Sequence, residues 1–176
     1  KVAAQAAKNL VPTTLELGGK SPTIIGTKAN LALAAERVLF AKTLNAGQIC
    51  LSPDYIFVKK DEERNLISEL KKAYSKFFPE PNSHNQTSMV NQHHFKRMNS
   101  YLLDATKKGA TVESLGKNDD HNKNMISTKI VTEVNDSMDV MKHEIFGPVL
   151  PIMTYESISD VVDYINKNDN PLGLYY

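Results

Sequence analysis

Apolar positions along the chain repeat with two different periods, and the two kinds of segment alternate. Spacings of three and four predict helices over about 31–45, from Asp61 to Phe77, around Phe95–Ala105 and from Ser157 or Ser159 to Ile165. Runs rich in β-branched and aromatic residues predict strands at TTLEL (13–17), SPTIIG (21–26), YIFV (55–58), TVESL (111–115), ISTKIVTEV (126–134) and GPVLPIMTY (147–155). Strands that alternate with helices indicate an α/β fold with a mainly parallel sheet and flanking helices.

Several local signals refine these elements. Asn30 is placed to cap the helix that follows it, and Gly47 is placed to stop that helix. Residues 2–9 are rich in Ala and permit a helix, and residues 79–88 read as a loop because they are rich in Pro and Asn. Pro151 interrupts the last strand, which predicts an edge or bulged position there.

Composition narrows the class of protein. The chain has 21 basic and 20 acidic residues, so its net charge of +1 gives no general attraction to nucleic acid or to an anionic membrane. One cysteine cannot form an internal disulfide, which suits a reducing, cytoplasmic location. No apolar run is long enough to predict a membrane span. Neither end has the pattern of a natural terminus, and we expect the chain to be part of a longer protein.

The single cysteine, Cys50, lies in an unusual context. A lone cysteine is most often a small buried apolar residue. Cys50 instead follows Gly47 and Gln48 in a turn between a predicted helix and a predicted strand, where functional side chains are common. Local sequence therefore leaves two interpretations open: an inert buried thiol, or a nucleophile that acts as its thiolate.

Glu16 is a second candidate, since it stands between two leucines just before a Gly-Gly pair in LELGGKSP. If TTLEL is a strand and its Leu15 and Leu17 side chains face the protein core, Glu16 faces the other way, toward a cleft or solvent. A partly desolvated carboxylate can act as a general base near neutral pH. A purely structural turn explains the same residues equally well.

A third candidate segment is HEIFGPVLPI at 143–152. Glu144 and Phe146 are two residues apart, so an extended backbone would point both the same way, a carboxylate beside an aromatic ring. Such a pair could hold a ribose diol and a flat heterocycle, although Phe146 could equally fill the core. The histidines show no metal-ligand spacing, and no G-x-S-x-G, Walker A or G-x-G-x-x-G motif occurs.

Taken together, LELGGKSP, NAGQICLSPDYIFV and EIFGPVLPI resemble the glutamate, cysteine and cofactor-contacting motifs of the aldehyde dehydrogenase superfamily, in the family order. The Pro-Asp-Tyr at 53–55 and NPLGLYY at the end resemble its class 3 branch. Within that branch, NQHHFKRMNSYLLDATKKGA and SMDVMKHEIFGPVLP look most like bacterial coniferyl aldehyde dehydrogenases, and relatives that act on fatty aldehydes are close competitors.

The resemblance implies a mechanism and a role for each motif. Cys50 would attack an aldehyde as its thiolate, the Cys50 backbone N–H would help to hold the oxyanion, and hydride would pass to NAD or NADP to leave a thioester. Glu16 would activate the water that releases the carboxylic acid. Glu144 would bind the nicotinamide ribose hydroxyls, Phe146 would pack beside the nicotinamide, and Leu17 would also contact the cofactor.

The resemblance also implies a domain division: residues 1–18 as the end of a nucleotide-binding domain and 19–176 as most of a catalytic domain. The full-length protein is then expected to be a homodimer acting on a small aromatic or medium- to long-chain aldehyde, and the 176-residue chain alone is expected to be inactive. Two alternatives stay open: a cysteine esterase or acyl-transfer enzyme without hydride chemistry, and a non-catalytic relative that keeps the fold.

Overall fold

Alternate residues of the central strands point to opposite faces of one sheet, and each face is covered by its own helices. The computed structural model describes residues 1–79 and 86–176. The strands are β1 (Pro22–Ile24), β2 (Tyr55–Lys59), β3 (Thr111–Ser114), β4 (Lys129–Thr132) and β5 (Val149–Tyr155). The helices are α1 (Val2–Lys8), α2 (Leu31–Thr43), α3 (Glu63–Phe77), α4 (Gln92–Lys107), α5 (Asp139–Lys142) and α6 (Ile158–Lys167), with short 3₁₀ turns at Leu44–Gly47 and Lys60–Glu62.

The sheet has the order β1-β2-β5-β4-β3. Neighbours among β1, β2, β5 and β4 pair in parallel, and β3 pairs antiparallel with β4. Helices α2 and α3 cover the face that carries Ile56 and Ile152, whereas α4, α5 and α6 cover the face that carries Phe57 and Val149. This architecture confirms the predicted α/β fold with a mainly parallel sheet.

The predicted helix after Asn30 is α2, and the side chain of Asn30 caps it by accepting a hydrogen bond from the Leu33 N–H at 3.1 Å. The apolar face predicted for this helix is the face that packs on the sheet, and Lys42 lies on that face with none of its surface exposed. The last helix, α6, is capped by Ser157, whose hydroxyl accepts from the Ser159 N–H.

Two strand predictions were wrong. Residues 11–21 form neither helix nor strand, because the TTLEL segment lies on the surface: Leu15 is 60% exposed and Leu17 is 69% exposed, and no neighbouring strand pairs with it in the described chain. Pro151 lies in the central strand, not at an edge or a bulge. Its missing N–H is tolerated because the ladder with β4 ends at Pro151 and the ladder with β2 begins at Ile152.

The loop predicted at 79–88 falls largely outside the described residues. The described chain includes no helix with both the length and the hydrophobicity needed to cross a membrane.

Candidate active site

Three segments singled out in the sequence lead directly into three neighbouring parallel strands. The glutamate segment ends at Ser21 before β1, the cysteine segment ends at Asp54 before β2, and the Glu144 segment ends at Pro148 before β5. Because β1, β2 and β5 are adjacent and run in the same direction, their amino ends lie along one edge of the sheet. The fold therefore gathers three segments that are far apart in the sequence.

The backbone before Cys50 makes a left-handed turn. Asn45, Ala46 and Gly47 have φ of 51°, 55° and 72°, a conformation that costs energy for the two residues that carry a Cβ. A Cβ on Gly47 would come within 2.5 Å of the Gly147 carbonyl oxygen, so this turn packs against the segment that carries Glu144. The strain is thus located at the contact between two of the three segments.

Gln48 stabilises this turn with both ends of its amide. Its Nε2 donates to the carbonyl oxygens of Asn45 at 3.0 Å and Ser88 at 3.1 Å, and its Oε1 accepts from the Val90 N–H at 2.9 Å. The Asn45 side-chain amide in turn donates a hydrogen bond to the Gln48 carbonyl at 3.2 Å. Sequence reasoning missed this role of Gln48. The signal that could have indicated it is a Gln two residues before the single Cys, in a turn.

Cys50 lies in the turn that joins α2 to β2, as predicted, and its side chain is exposed. Within the described part of the chain, its thiol and its backbone N–H make no hydrogen bond. The next residue is anchored, because the Leu51 carbonyl accepts from the Tyr175 hydroxyl at 2.6 Å. Cys50 is therefore an accessible thiol on a backbone that is held on both sides, and not a buried apolar residue.

Glu16 is also exposed, and the described residues show no hydrogen bond to its carboxylate. The reasoning that Leu15 and Leu17 would face the core was wrong, because both leucines are on the surface. The structure brings the backbone near Glu16, rather than its side chain, to the other segments. A Cβ on Gly18 would overlap both carboxylate oxygens of Glu144, so that carboxylate lies directly against the Gly18 backbone.

The Glu144 segment turns sharply and is not extended as predicted. Phe146 has φ of 47°, a left-handed conformation that is uncommon for a bulky residue. Ile145 is fully buried, whereas Glu144 is partly exposed and Phe146 is 38% exposed. Both side chains reach the surface, but the extended backbone from which a shared direction was predicted is absent.

Helix α4 supports this turn from the side of the protein core. Arg97 donates to the Glu144 carbonyl at 3.3 Å, and its guanidinium lies 5.3 Å from the centre of the Tyr101 ring. The Met98 sulfur leaves no room for a Cβ on Gly147. The turn around Phe146 is therefore held by polar and apolar contacts together.

Asp54 joins all three segments. Its carboxylate accepts from the Ile145 N–H at 2.9 Å and pairs with Lys20, and its backbone N–H donates to the Ser21 carbonyl at 2.8 Å. Lys20 in turn donates to the carbonyls of Val140 at 2.9 Å and His143 at 3.1 Å. The sequence alone indicates no role for Asp54 or Lys20, because Lys20 and Asp54 are 34 residues apart and their partners in the segment before β5 are 91 to 123 residues away.

Lys42 places a fully buried amine beneath the cysteine segment. Its Nζ donates to the Pro53 carbonyl at 2.9 Å. Burial lowers the pKa of Lys42 to about 8, and the nearby Asp54 carboxylate partly opposes that effect. The cysteine segment is thus tied to α2 at Pro53 and to the other two segments at Asp54.

A cavity of about 280 Å³ opens beside this edge of the sheet. Its lining includes Gly19, Lys20, Tyr55 and Glu144, but neither Cys50 nor Glu16. The arrangement offers an accessible thiol, an exposed carboxylate, and a second carboxylate beside a glycine backbone. A ribose diol could bind Glu144, and a planar ring could pack on the exposed face of Phe146.

The fold is α/β, and an accessible cysteine lies near the amino ends of its parallel strands. These features together define a class of candidate thiol enzymes. Comparison with known proteins makes the class specific. Residues 1–175 match the aldehyde dehydrogenase family. The chain belongs to the aldehyde dehydrogenase family, as its three motifs suggested.

Similar proteins include coniferyl aldehyde dehydrogenases and a class 3 member. The chain is 43% identical to a Caulobacter vibrioides protein named "Probable coniferyl aldehyde dehydrogenase", over 97% of this chain and 36% of that protein. It is 35% identical to mouse aldehyde dehydrogenase family 3 member B1, over 99% of this chain and 36% of that protein. A substrate-bound structure of Staphylococcus aureus AldH superposes with a TM-score of 0.92 at 37% identity, over 99% of this chain and 38% of that one. The chain therefore spans just over a third of the length of these relatives.

Proposed function

We propose that the complete protein oxidises an aldehyde to a carboxylic acid with NAD or NADP, through a covalent intermediate on Cys50. The observation that carries this proposal is the meeting of three family motifs at the amino ends of β1, β2 and β5, where Asp54 binds residues of the other two. The catalytic and cofactor-binding residues named below are part of the proposal.

Cys50 is the nucleophile in this proposal. Its exposed thiol, as the thiolate, attacks the aldehyde carbon and forms a thiohemiacetal. The Cys50 backbone N–H, which has no partner in the described residues, is available to hold the oxygen that becomes negatively charged. The left-handed turn at residues 45–47 and the side-chain hydrogen bonds of Gln48 keep this backbone in place.

Glu16 is the general base of the second half-reaction. An acyl group on Cys50 must be released by water, and a carboxylate can take the proton from that water as it attacks. Glu16 is exposed in an unpaired segment that immediately precedes Gly18, and Gly18 lies against Glu144.

Glu144, Phe146 and Leu17 form the proposed cofactor site. The carboxylate of Glu144 is held beside a glycine backbone, where it can accept hydrogen bonds from the two hydroxyls of a ribose. The exposed ring of Phe146 and the exposed side chain of Leu17 offer apolar contact to a flat ring. When bound, the nicotinamide supplies the hydride acceptor that these residues do not contain.

The substrate proposal follows the similar proteins. Several of them are named coniferyl aldehyde dehydrogenases, which favours an aromatic aldehyde of the coniferyl type, with medium- or long-chain alkanals as the second choice. We further propose that residues 1–18 end a nucleotide-binding domain, that residues 19–176 belong to the catalytic domain, and that the complete protein is a cytoplasmic homodimer.

The test measures NAD(P)H formation by the complete protein with coniferaldehyde, benzaldehyde and long-chain alkanals, each with NAD and with NADP. Cys50→Ala should abolish turnover. Glu16→Gln should keep one rapid burst of NAD(P)H while slowing the steady state by roughly 100-fold, because only deacylation needs the base. Glu36→Gln, on the exposed surface of α2, is the matched control and should behave as the wild type.

Two outcomes would contradict the proposal. Ester hydrolysis without a cofactor, with no aldehyde oxidised, would favour a cysteine esterase or acyl-transfer enzyme. A Cys50 thiol that reacts with iodoacetamide no faster than a model thiol at neutral pH, together with no turnover of any substrate, would favour a non-catalytic relative.

A further inference from the structure

Asp54 is a buried carboxylate with an unusual set of partners. It is 3% exposed and stands between the cysteine segment and β2. A buried carboxylate is strongly unfavourable unless it is paired and hydrogen-bonded. Here the Lys20 ammonium supplies the opposite charge and the Ile145 N–H supplies a hydrogen bond at 2.9 Å.

These partners bracket Glu144 along the chain. Ile145, whose N–H binds Asp54, directly follows Glu144. His143, whose carbonyl accepts from Lys20 at 3.1 Å, directly precedes Glu144. The Asp54–Lys20 pair therefore holds the Glu144 backbone on both sides, and neither residue makes a hydrogen bond or ion pair with the Glu144 carboxylate.

The same pair connects Glu144 to the segments that carry Cys50 and Glu16. Asp54 is four residues after Cys50, and its N–H donates to the Ser21 carbonyl at 2.8 Å. Lys20 is four residues after Glu16. We infer that Asp54, paired with Lys20, is a positioning residue that sets where the Glu144 carboxylate lies relative to Cys50, and so controls cofactor binding.

This inference rests on the proposed function, since it assigns Glu144 to the nicotinamide ribose. Asp54→Asn keeps an oxygen for the Ile145 N–H but removes the charge that holds Lys20. Lys20→Met removes the cation of the same ion pair, and the His143 carbonyl loses its hydrogen bond from Lys20. In both variants the Glu144 segment loses the support of Lys20 at the His143 carbonyl, whereas the Arg97 bond to the Glu144 carbonyl remains. The hydrogen bonds of Gln48 around the cysteine turn are also kept.

The test titrates the complete protein with NADH and NADPH, following nicotinamide fluorescence, and separately measures the rate of Cys50 alkylation by iodoacetamide. Asp54→Asn and Lys20→Met should each weaken dinucleotide binding by about 10-fold, because small displacements of a binding group have large effects. Alkylation without cofactor should stay within about twofold of the wild type, and so should the KM for aldehyde. Glu113→Gln, which breaks the Lys71–Glu113 pair between α3 and the far edge strand β3, should change none of these values.

Unchanged dinucleotide affinity in both variants would overturn the inference. An equal loss of affinity, alkylation rate and thermal stability would also overturn it, since that pattern indicates general unfolding. If Asp54→Asn does not fold, Lys20→Met alone decides between these outcomes. A wild-type protein that binds neither dinucleotide would instead refute the proposed function, so the two failures are distinguishable.

Discussion

Lys42 places an ammonium group inside the protein, and replacing it with Met should change how stability depends on pH. The side chain is fully buried, and its Nζ has the Pro53 carbonyl as its partner at 2.9 Å. Burial lowers the pKa of Lys42 from 10.5 to about 8, with Asp54 opposing the shift. The charged form is therefore less favourable in the folded chain than in the unfolded chain.

The sign and size of the effect follow from these two pKa values. Between pH 8 and pH 10.5 the unfolded chain keeps the Lys42 proton and the folded chain releases it, so the free energy of unfolding rises with pH. Each pH unit is worth about 1.4 kcal/mol, so the gain for the wild type by pH 10 is about 2 to 3 kcal/mol. Lys42→Met has no such proton and lacks this gain.

The assay is equilibrium urea unfolding of the chain at pH 7, 8, 9 and 10. The free energy of unfolding of the wild type minus that of Lys42→Met should grow by about 2 to 3 kcal/mol over this range. Lys28→Met, at an exposed lysine, is the control and should keep a constant difference from the wild type. A Lys42→Met curve that runs parallel to the wild-type curve would refute the assignment of a buried, destabilised ammonium.

Two further predictions concern the site. Gly18→Ala should weaken NADH binding by the complete protein about 10-fold, because a Cβ there overlaps the Glu144 carboxylate. Gly109→Ala strains a left-handed backbone (φ 97°) just before the far edge strand β3, so it controls for general destabilisation and should leave NADH binding unchanged; equal effects would contradict the reasoning. Gln48→Ala should cost about 2 kcal/mol in urea unfolding and slow Cys50 alkylation, because three side-chain hydrogen bonds that hold the left-handed turn are lost. An unchanged alkylation rate would show that the Gln48 hydrogen bonds do not affect the reactivity of the Cys50 thiol.

Much of the secondary structure could be predicted because its signals are local. Helix α2 follows from a cap at Asn30 and an apolar face with helical spacing, and both are where the pattern predicted them. Strand β2 follows from a run of β-branched and aromatic residues. The TTLEL prediction failed because strand propensity counts only when a neighbouring strand and a core are available, and residues 13–17 have neither in the described chain.

Pro151 shows the limit of local rules. Its missing N–H predicts an edge strand, but β5 is central, and Pro151 is tolerated there because the ladder with β4 ends at Pro151 and the ladder with β2 begins at Ile152. That outcome depends on which strands lie next to β5. In the order β1-β2-β5-β4-β3, the central pairing of Ile56 with Ile152 joins residues 96 positions apart (152 − 56) and cannot be obtained from local spacing.

The sequence by itself determined the family, through three motifs in order, and the residue types available for chemistry: one thiol at Cys50 and carboxylates at Glu16 and Glu144. Only the tertiary structure decided how these are held together. Asp54 meets Ile145 across 91 positions, and Lys20 meets His143 across 123. Such contacts depend on the adjacency of parallel strands, which the long-range packing of the two cores sets, and no single segment encodes it.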